Sequence, residues 1–234
     1  MTIRQQCENC SCYSDTFFTN LEKDDLKSFN EKKSCYKYKK GQSVFTQGTK
    51  PNGIFCLSKG KIKIYKTGSY GKEQIVRFVL PGQIIGIRSF FGERNYSSTA
   101  VAIEDSQVCF ISRLDFQSLL DKYNHILFSI ISHLSDLLNE ANEKITSLAQ
   151  KPIRERLAET LYNLNYLFKP ESQKGEKHYT EITLSRQDMA NLVGTATETV
   201  IRLLSEFKRE KLIMINGRKI TIINPESLYR IANI

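Results

Sequence analysis

The feature that most constrains this chain is the stretch from Ile182 to Arg209, ITLSRQDMANLVGTATETVIRLLSEFKR. It contains two helix-start patterns, at Ser185 and Thr195, in which a hydroxyl residue is followed three positions later by an acidic one. Gly194 separates the two predicted helices, each with apolar residues at three- and four-residue spacing. Asn216 and Gly217 then lie between β-branched runs and predict a hairpin. Two short helices followed by a hairpin are typical of a winged helix-turn-helix.

The second predicted helix carries two charged residues, Glu198 and Arg202, that suit base recognition. They lie four residues apart on one face, near the end that a recognition helix presents to the major groove. There a carboxylate accepts from cytosine N4 and a guanidinium binds guanine O6 and N7. The alternative is an ordinary ion pair between the two, with Glu198 capping the helix. The predicted contacts to DNA phosphates are Arg186, Gln187, Thr199, Lys208, Arg209, Lys211, Arg218 and Lys219.

The charge balance fits a polyanionic partner. Lys and Arg number 34 and Asp and Glu number 25, which gives a formal net charge of +9. Such a surplus allows attraction to nucleic acid but does not establish it. No apolar run approaches the length of a membrane span, and the N-terminus lacks the apolar centre of a signal peptide. We therefore expect a cytoplasmic protein without a membrane partner.

The pattern before residue 113 is that of strands. Between Lys39 and Ser112, short β-branched and aromatic runs alternate with glycines, as in KIKIY at 61–65. This predicts an antiparallel β-roll of the jelly-roll or double-stranded β-helix type, within an α+β chain. The roll would precede the winged helix-turn-helix.

A long helical pattern connects these two parts. From Leu114 to Gln150 the apolar residues recur at three- and four-residue steps, with a second stripe at Ile131 and Leu138. Such a long seam favours a helix shared between two protomers, and the alternative is a helix buried against its own domain. Lys151 and Pro152 end the pattern and predict a hinge. The predicted dimer interface is Leu127, Ile130, Leu134, Leu137, Ala141, Ile145 and Leu148.

These features together resemble the Crp/Fnr family of bacterial regulators, named for the cyclic-AMP receptor protein and the oxygen-responsive fumarate and nitrate reduction regulator. The most specific segments are LSRQDMANLVGTATETVIRLLSEF, NEKITSLAQKPIRERLAETLYNL and GIFCLSKGKIKIY. The resemblance implies a homodimer on a palindromic double-stranded DNA operator, with RNA polymerase as a further partner. In the cyclic-AMP receptor an arginine that also reads a base precedes the glutamate of the reading helix, and Thr197 takes its place here, so the resemblance implies Thr197 as a third base-reading position. This arrangement is closer to that of the oxygen-responsive regulator.

The same resemblance implies three parts of the chain. Residues 1–113 form the cysteine-containing segment and a cyclic-nucleotide-binding-like sensor roll, residues 114–151 the dimerisation helix and hinge, and residues 152–234 the DNA-binding domain. The roll would sense a signal, and the long helix would transmit it.

The family's nucleotide pocket is only partly retained. It uses a glutamate for the ribose and an arginine, followed by a small hydroxyl residue, for the cyclic phosphate. In GIRSFFGERNYSSTAV the glutamate position is Ile87 and the arginine position is Ser97. A buried phosphate without a cation is costly, so we do not expect cyclic AMP to bind, unless Arg88 or Arg94 substitutes. The residues of this degenerate pocket are Gly86, Ile87, Arg88, Ser97 and Ser98.

Six cysteines raise the question of a cofactor, and three of them lie in QQCENCSC near the N-terminus. The oxygen-responsive members hold a [4Fe–4S] cluster with three N-terminal cysteines and a fourth in the roll. Cys7 and Cys10 keep the C-x-x-C spacing, and Cys109 lies in the strand of the fourth ligand. The third position falls near Thr16, and Cys12 is the thiol available here. The resemblance thus implies Cys7, Cys10, Cys12 and Cys109 as possible ligands.

Other uses of these four thiols stay open. Thiolates suit iron–sulfur clusters, but the same residues could hold tetrahedral zinc, two could form a redox-switched disulfide, or no cofactor binds. Cys35 and Cys56, each flanked by strand residues, are predicted core residues. The scattered spacing does not match a secreted disulfide framework and favours a reducing compartment.

The alternative functions have the same fold and differ in the signal to which the protein responds. The chain could respond to a cyclic nucleotide or another small effector, or bind DNA constitutively without a ligand. An enzyme is not expected. His125 and His133 lie eight residues apart and His178 lies in a polar loop, and the sequence has no nucleophile elbow, P-loop or metalloprotease motif.

Overall fold

The computed structural model describes residues 2–3, 6–92, 94–169 and 179–234. The chain divides into two compact units, Met1–Asn139 (unit 1) and Glu140–Ile234 (unit 2). His178, which the sequence analysis placed in a polar loop, lies outside the described residues. Within those ranges, no helix combines the length and apolarity needed to cross a bilayer.

Unit 1 contains two antiparallel sheets. Its strands are β1 (Thr2–Ile3), β2 (Ser34–Tyr38), β3 (Ser43–Phe45), β4 (Gly53–Lys59), β5 (Ile62–Thr67), β6 (Glu73–Val79), β7 (Ile84–Ile85), β8 (Thr99–Ala102) and β9 (Ser106–Ser112). The strand order is β1-β2-β9-β4-β7 in the first sheet and β3-β8-β5-β6 in the second. Its helices are α1 (Lys23–Lys32), α2 (Ile87–Gly92), α3 (Arg113–Lys122) and the N-terminal part of α4 (Asn124–Gln150), with short 3-10 turns at Cys7–Asn9, Tyr13–Asp15 and Ser69–Gly71.

Successive side chains of the first sheet point to opposite faces, so they pack into two different hydrophobic cores. On one face, residues such as Leu57 and Val108 pack with the second sheet. On the other face, residues such as Ile54, Cys56 and Ile111 pack with the N-terminal segment and with α1, α3 and α4. The predicted antiparallel roll is confirmed, and its first sheet separates an interior core from a helix-covered core.

The helical pattern that begins at Leu114 forms two helices rather than one. Helix α3 ends at Lys122, Tyr123 has a non-helical backbone, and α4 begins at Asn124. The Tyr123 hydroxyl contacts Asp25 of α1 and accepts a hydrogen bond from the Glu22 backbone N–H at 3.1 Å. The break therefore lies where α1 meets the start of the long helix.

The described residues of unit 2 contain four further helices and a three-stranded sheet with the order β10-β12-β11. The elements are α5 (Ile153–Leu167), β10 (Glu181–Thr183), α6 (Arg186–Val193), α7 (Thr197–Arg209), β11 (Ile213–Asn216), β12 (Lys219–Ile222) and α8 (Pro225–Ala232). Strands β11 and β12 pair through Asn216 and Lys219, so the predicted hairpin is confirmed. Together with α6 and α7 it completes the winged helix-turn-helix.

The two predicted helix starts differ in outcome. The Ser185 side chain accepts from the Asp188 backbone N–H at 2.9 Å, which confirms the first cap. Gly194 has φ +74°, ends α6 in the left-handed region that glycine adopts without strain, and confirms the predicted break. The second start is wrong by one residue: Ala196 precedes α7, and the Thr195 N–H bonds back to the Ala190 carbonyl at 3.2 Å. Thr195 therefore belongs to the C-terminal capping of α6 rather than to the start of α7.

Candidate nucleic-acid interface and cysteine site

Helix α7 has one buried and one exposed side. The predicted base-reading residues Glu198 and Arg202 are both exposed. The Arg202 guanidinium lies 3.1 Å from the Glu206 carboxylate, so Arg202 pairs with Glu206 rather than with Glu198. Glu198 lies in the first turn, where a negative charge is favourable to the helix dipole. The buried side consists of Val200, Leu203, Leu204 and Phe207.

The third predicted base-reading residue, Thr197, connects the two helices of the motif. Its hydroxyl donates to the Gln187 side-chain oxygen at 2.9 Å. The Gln187 amide nitrogen donates to Asn191 at 2.9 Å. Thr197 therefore fixes the orientation of Gln187 on α6, so both polar side chains are ordered before any DNA binds.

Besides Gln187, two of the predicted phosphate contacts already have protein partners. Arg186 donates to the Gly217 carbonyl at 3.1 Å and so connects α6 to the hairpin turn, and its burial lowers the pKa of the guanidinium. Lys219 lies 2.7 Å from Glu181 across the β10–β12 pair. The other predicted phosphate contacts are Thr199, which is half-buried, and Lys208, Arg209, Lys211 and Arg218, which are exposed.

Arg156 was not singled out from the sequence, yet its guanidinium donates to four backbone carbonyls of unit 2. At one end of the cluster it reaches the last turn of α4 and the hinge, at 3.2 Å from the Leu148 carbonyl and 3.0 Å from that of Lys151. At the other end it reaches the turn before α7, at 3.1 Å from the Val193 carbonyl and 3.4 Å from that of Gly194. No local spacing signals such a role, because its partners lie up to 38 positions away.

Only some of the apolar residues of the long helix α4 are buried in the core of unit 1. Ile130 is 1% exposed and packs in the helix-covered core, so it is unavailable to a second protomer, contrary to its place in the predicted interface. Leu134 packs partly against the same core. Of the other predicted interface residues, Leu127, Ala141 and Ile145 are exposed and Leu137 and Leu148 are half-buried; the second-stripe residues Ile131 and Leu138 are exposed as well.

These exposures define a seam with a seven-residue repeat. Ile131, Leu138 and Ile145 recur at intervals of seven and are 52%, 61% and 64% exposed. Exposed apolar side chains at that interval are typical of a two-helix coiled coil. The free face of α4 is therefore the Ile131, Leu138 and Ile145 stripe, with Leu127 and Ala141 beside it.

The interior core of the roll contains an aromatic pair that the sequence analysis did not single out. The Tyr96 ring stacks on Phe45 with ring centroids 4.0 Å apart, and its hydroxyl lies 3.5 Å from the Gly53 carbonyl. Burial raises the pKa of Tyr96 to about 12. Tyr96 lies next to Ser97 in the sequence. A Cβ atom added to Gly86 would be in van der Waals contact with the Tyr96 ring, at 3.5 Å from its Cε1 atom. Of the degenerate pocket, Ile87 is buried, Gly86 and Ser98 are half-buried, and Arg88 and Ser97 are exposed.

The N-terminal cysteines lie against the first sheet. Cys12 is 4% exposed, and its sulfur lies 3.8 Å from the Leu57 carbonyl oxygen and 3.7 Å from that of Ser58. The Cys10 and Cys12 sulfurs are 3.2 Å apart. Cys7 lies at the other end of this segment, where the Lys33 ammonium donates to its sulfur at 2.7 Å.

Three further cysteines lie side by side on the sheet below. Cys35 on β2 and Cys56 on β4 are both directly opposite Cys109 on the central strand β9. Cys35 and Cys109 form a disulfide between residues 74 positions apart. The sequence analysis assigned Cys109 to a possible ligand set and Cys35 to the core. It did not predict their bond, because spacing alone does not give the strand register that makes them neighbours. The predicted burial of Cys35 and Cys56 is confirmed.

Burial dominates the acid–base chemistry of the free thiols. It raises the pKa of Cys7, and hydrogen bonding to Lys33 partly offsets the effect. Burial and the contact with Cys10 raise the pKa of Cys12 to about 12. The pKa of Cys56 is raised further, again by burial. At neutral pH these three groups are therefore thiols rather than thiolates.

Comparisons with known proteins agree with this geometry. A cyclic nucleotide-binding domain model matches residues 36–123, and a Crp-like helix-turn-helix domain model matches residues 155–231. A fumarate and nitrate reduction regulatory protein from Vibrio cholerae is 32% identical over 233 residues, covering 97% of this chain and 90% of the relative. Its counterpart from Escherichia coli K12 is 30% identical over 231 residues with the same coverages.

The chain belongs to the Crp/Fnr family of transcription regulators.

Solved structures of Crp/Fnr proteins share the fold. The structure of FixK2 from Bradyrhizobium japonicum aligns with a TM-score of 0.73 and 23% identity, covering 85% of this chain and 96% of that one. The c-di-GMP responsive global regulator CLP of Xanthomonas campestris aligns with a TM-score of 0.74 and 21% identity, covering 86% and 99%. Binding of DNA as a dimer is typical of Crp/Fnr regulators, and the relatives named here are not enzymes.

The iron–sulfur cluster implied by the resemblance does not fit the cysteines as they lie here. The sulfur of Cys109 is bonded to Cys35 and cannot also serve as a thiolate ligand. Within the described ranges, no three His, Cys, Asp or Glu side chains are placed to share a metal ion. The cavity lined by Cys7, Cys10, Cys56 and Cys109 has a volume of about 20 Å³, enough for one or two waters. This is the disulfide form of the site.

Proposed function

We propose that this Crp/Fnr regulator binds a palindromic operator as a homodimer, reads it through Glu198 and Arg202, and responds to oxygen or thiol redox state through its cysteines. The observation that carries the proposal is α7, whose two base-reading side chains are exposed near the start of the helix while its apolar side is buried. A G·C pair in each half-site follows from the chemistry of these two groups.

The dimer would form along α4. The exposed stripe of Ile131, Leu138 and Ile145 has the seven-residue repeat that a second copy of the same helix can cover. Two-fold symmetry would then present two recognition helices to two half-sites. In this proposal residues 1–113 sense the signal, residues 114–151 form the shared helix and hinge, and residues 152–234 bind DNA.

A cyclic nucleotide is a poor candidate for the signal. The family's phosphate-binding arginine is replaced by Ser97, and the adjacent Tyr96 ring is packed on Phe45 inside the roll. The convergence of thiols on one cavity makes redox chemistry the better candidate. We further propose that the protein acts in the cytoplasm, where bacterial operators lie, that it contacts RNA polymerase there, and that it has no catalytic activity.

Selection of binding sites from random duplex DNA tests the operator. We expect a two-fold symmetric sequence with a G·C pair at one position of each half-site, and affinity that falls steeply as salt rises. Binding without sequence preference at every salt concentration would contradict the proposal. Repeating the titration with oxidised and with reduced protein, and with added cyclic AMP, identifies the signal class.

A further inference from the structure

All six cysteines of this chain meet at one place, although only three of them are close in sequence. Cys35, Cys109 and Cys56 lie in register on three neighbouring strands, so their side chains share the helix-covered face of the first sheet. Cys7 and Cys10 line a cavity with Cys56 and Cys109. Cys12 contacts the Cys10 sulfur and the backbone of β4.

Within this group, Cys109 has two competing roles. It is the roll residue that the proposed cysteine sensor would use as a ligand, and it is half of a disulfide with Cys35. One sulfur cannot be a thiolate ligand and a disulfide atom at the same time. The choice between the two therefore depends on Cys35, which no ligand set considered above includes.

The surroundings of the pair favour a reversible bond. Disulfides in a reducing compartment are in general transient or redox-sensing rather than structural. Cys35 is 1% and Cys109 6% exposed, but Cys109 borders the cavity that the half-buried thiols Cys7 and Cys10 also line. The Cys7 and Cys10 thiols therefore border Cys109 and are placed to exchange with its disulfide.

We propose that the Cys35–Cys109 disulfide is a redox lock that withdraws Cys109 from the sensor site. This inference rests on the proposed function, since it names the regulation of the same site. A low-molecular-weight disulfide, RSSR, oxidises the dithiol form. The S–S bond of RSSR breaks, an S–S bond forms between Cys35 and Cys109, and the two thiol protons leave on two molecules of RSH. Two electrons pass from the two protein sulfurs to RSSR, and reduction by two RSH reverses the step.

The test begins with counting free thiols in the full-length protein. Wild type is reduced with a phosphine, desalted without oxygen, treated with hydroxyethyl disulfide, and its free thiols are counted after denaturation. We expect Cys35→Ser to lose two fewer thiols than wild type. The matched control Cys56→Ser removes a neighbouring thiol on the same sheet face and should lose as many as wild type. Peptide mapping should recover the Cys35–Cys109 link in wild type and in Cys56→Ser.

A second measurement asks whether the bond controls the site. Oxidised and reduced proteins are incubated without oxygen with ferrous iron and sulfide, desalted, and assayed for bound iron. Oxidised wild type should retain at least tenfold less iron than reduced wild type, whereas oxidised Cys35→Ala should retain as much as its reduced form. Alanine serves here because it offers no ligand oxygen in place of the sulfur.

Two results would overturn the lock. One is equal thiol loss in wild type and Cys35→Ser, and the other is measurable iron that oxidised and reduced wild type retain in equal amounts. A different result separates the proposed sensor from the lock. If no reduced protein retains iron, the iron-based form of the sensor fails, and the thiol count with DNA titrations of oxidised and reduced protein then decides whether the disulfide regulates the molecule.

Discussion

At the residue scale, the proposed base-reading residue Arg202 forms an ion pair within its own helix. Its guanidinium is 68% exposed and pairs with Glu206, which also lies 3.5 Å from Arg154. On DNA, guanine O6 and N7 would replace the carboxylate as hydrogen-bond acceptors and the nearby phosphates would supply the negative charge, while Glu206 would keep its ion pair with Arg154.

Changing Arg202 to Ala should therefore weaken binding to the selected operator by roughly 1–3 kcal/mol and relax the preference at one base pair. The matched change Lys219→Ala should weaken binding to all duplexes about equally, because phosphate contacts carry no sequence information. Titrations against the operator and its single-base variants measure both effects. An unchanged preference profile in Arg202→Ala would show that α7 does not read that base.

Cys12 allows a residue-scale test of the cysteine environment. Its pKa is raised from 9.0 to about 12, so its thiolate fraction rises about tenfold for each pH unit between 7 and 10. The alkylation rate of Cys12 by iodoacetamide, followed by peptide mass spectrometry, should rise over that range without levelling off. In the denatured chain the rate should level off near pH 9. Levelling near pH 9 in the native protein as well would contradict the assigned environment.

At the element scale, local pattern predicted the elements but not their long-range partners. The alternation of Ile62 and Ile64 gave the strands, and the Asn216 and Gly217 pair gave the hairpin, because both depend on neighbouring residues. The burial of Ile130 depends on a core formed by residues far away in sequence, and periodicity alone cannot show which stripe of a helix meets that core. The Cys35–Cys109 pair depends on strand register in the same way.

The exposed stripe of α4 gives the first element-scale prediction. Leu138→Glu should raise the dimer dissociation constant about tenfold or more, since two facing carboxylates would be buried at the seam. Asn139→Glu adds the same charge one position away, where the helix faces solvent, and should leave the dimer intact. Sedimentation velocity over a range of concentrations measures both. A dimer unaffected by Leu138→Glu would show that α4 does not form the interface.

The hydrogen bonds of Arg156 give the second element-scale prediction. Arg156→Ala removes hydrogen bonds to four carbonyls at the end of α4 and at the turn before α7, and should lower the unfolding free energy of unit 2 by about 2 kcal/mol. Arg154→Ala, on the same helix, removes partly exposed ion pairs with Glu206 and Glu210 and should cost less, about 1 kcal/mol or below. Urea unfolding followed by circular dichroism compares the two variants. Equal losses would mean that the carbonyl cluster contributes no more than a surface ion pair.

At the scale of the whole molecule, oxidation or reduction of the cysteines is expected to change the stability of unit 1 alone, because the chain divides into two compact units. The four free thiols and the Cys35–Cys109 disulfide lie in unit 1, whereas α6, α7 and the hairpin lie in unit 2. A redox change at Cys35 and Cys109 is therefore expected to alter the stability of one unit and not the other.

The disulfide joins residues 74 positions apart, and cross-linking a loop of that size restricts the unfolded chain by about 4 kcal/mol on the chain-entropy model. Reduction should then lower the unfolding midpoint of unit 1 by roughly 10–15 °C, while the midpoint of unit 2 stays constant. Calorimetry of the oxidised and phosphine-reduced protein measures both transitions. Cys35→Ser should match reduced wild type whether or not the phosphine is present. If the midpoint of unit 1 is the same in all three samples, the bond contributes nothing to its stability; if both midpoints move together, the two units do not unfold independently.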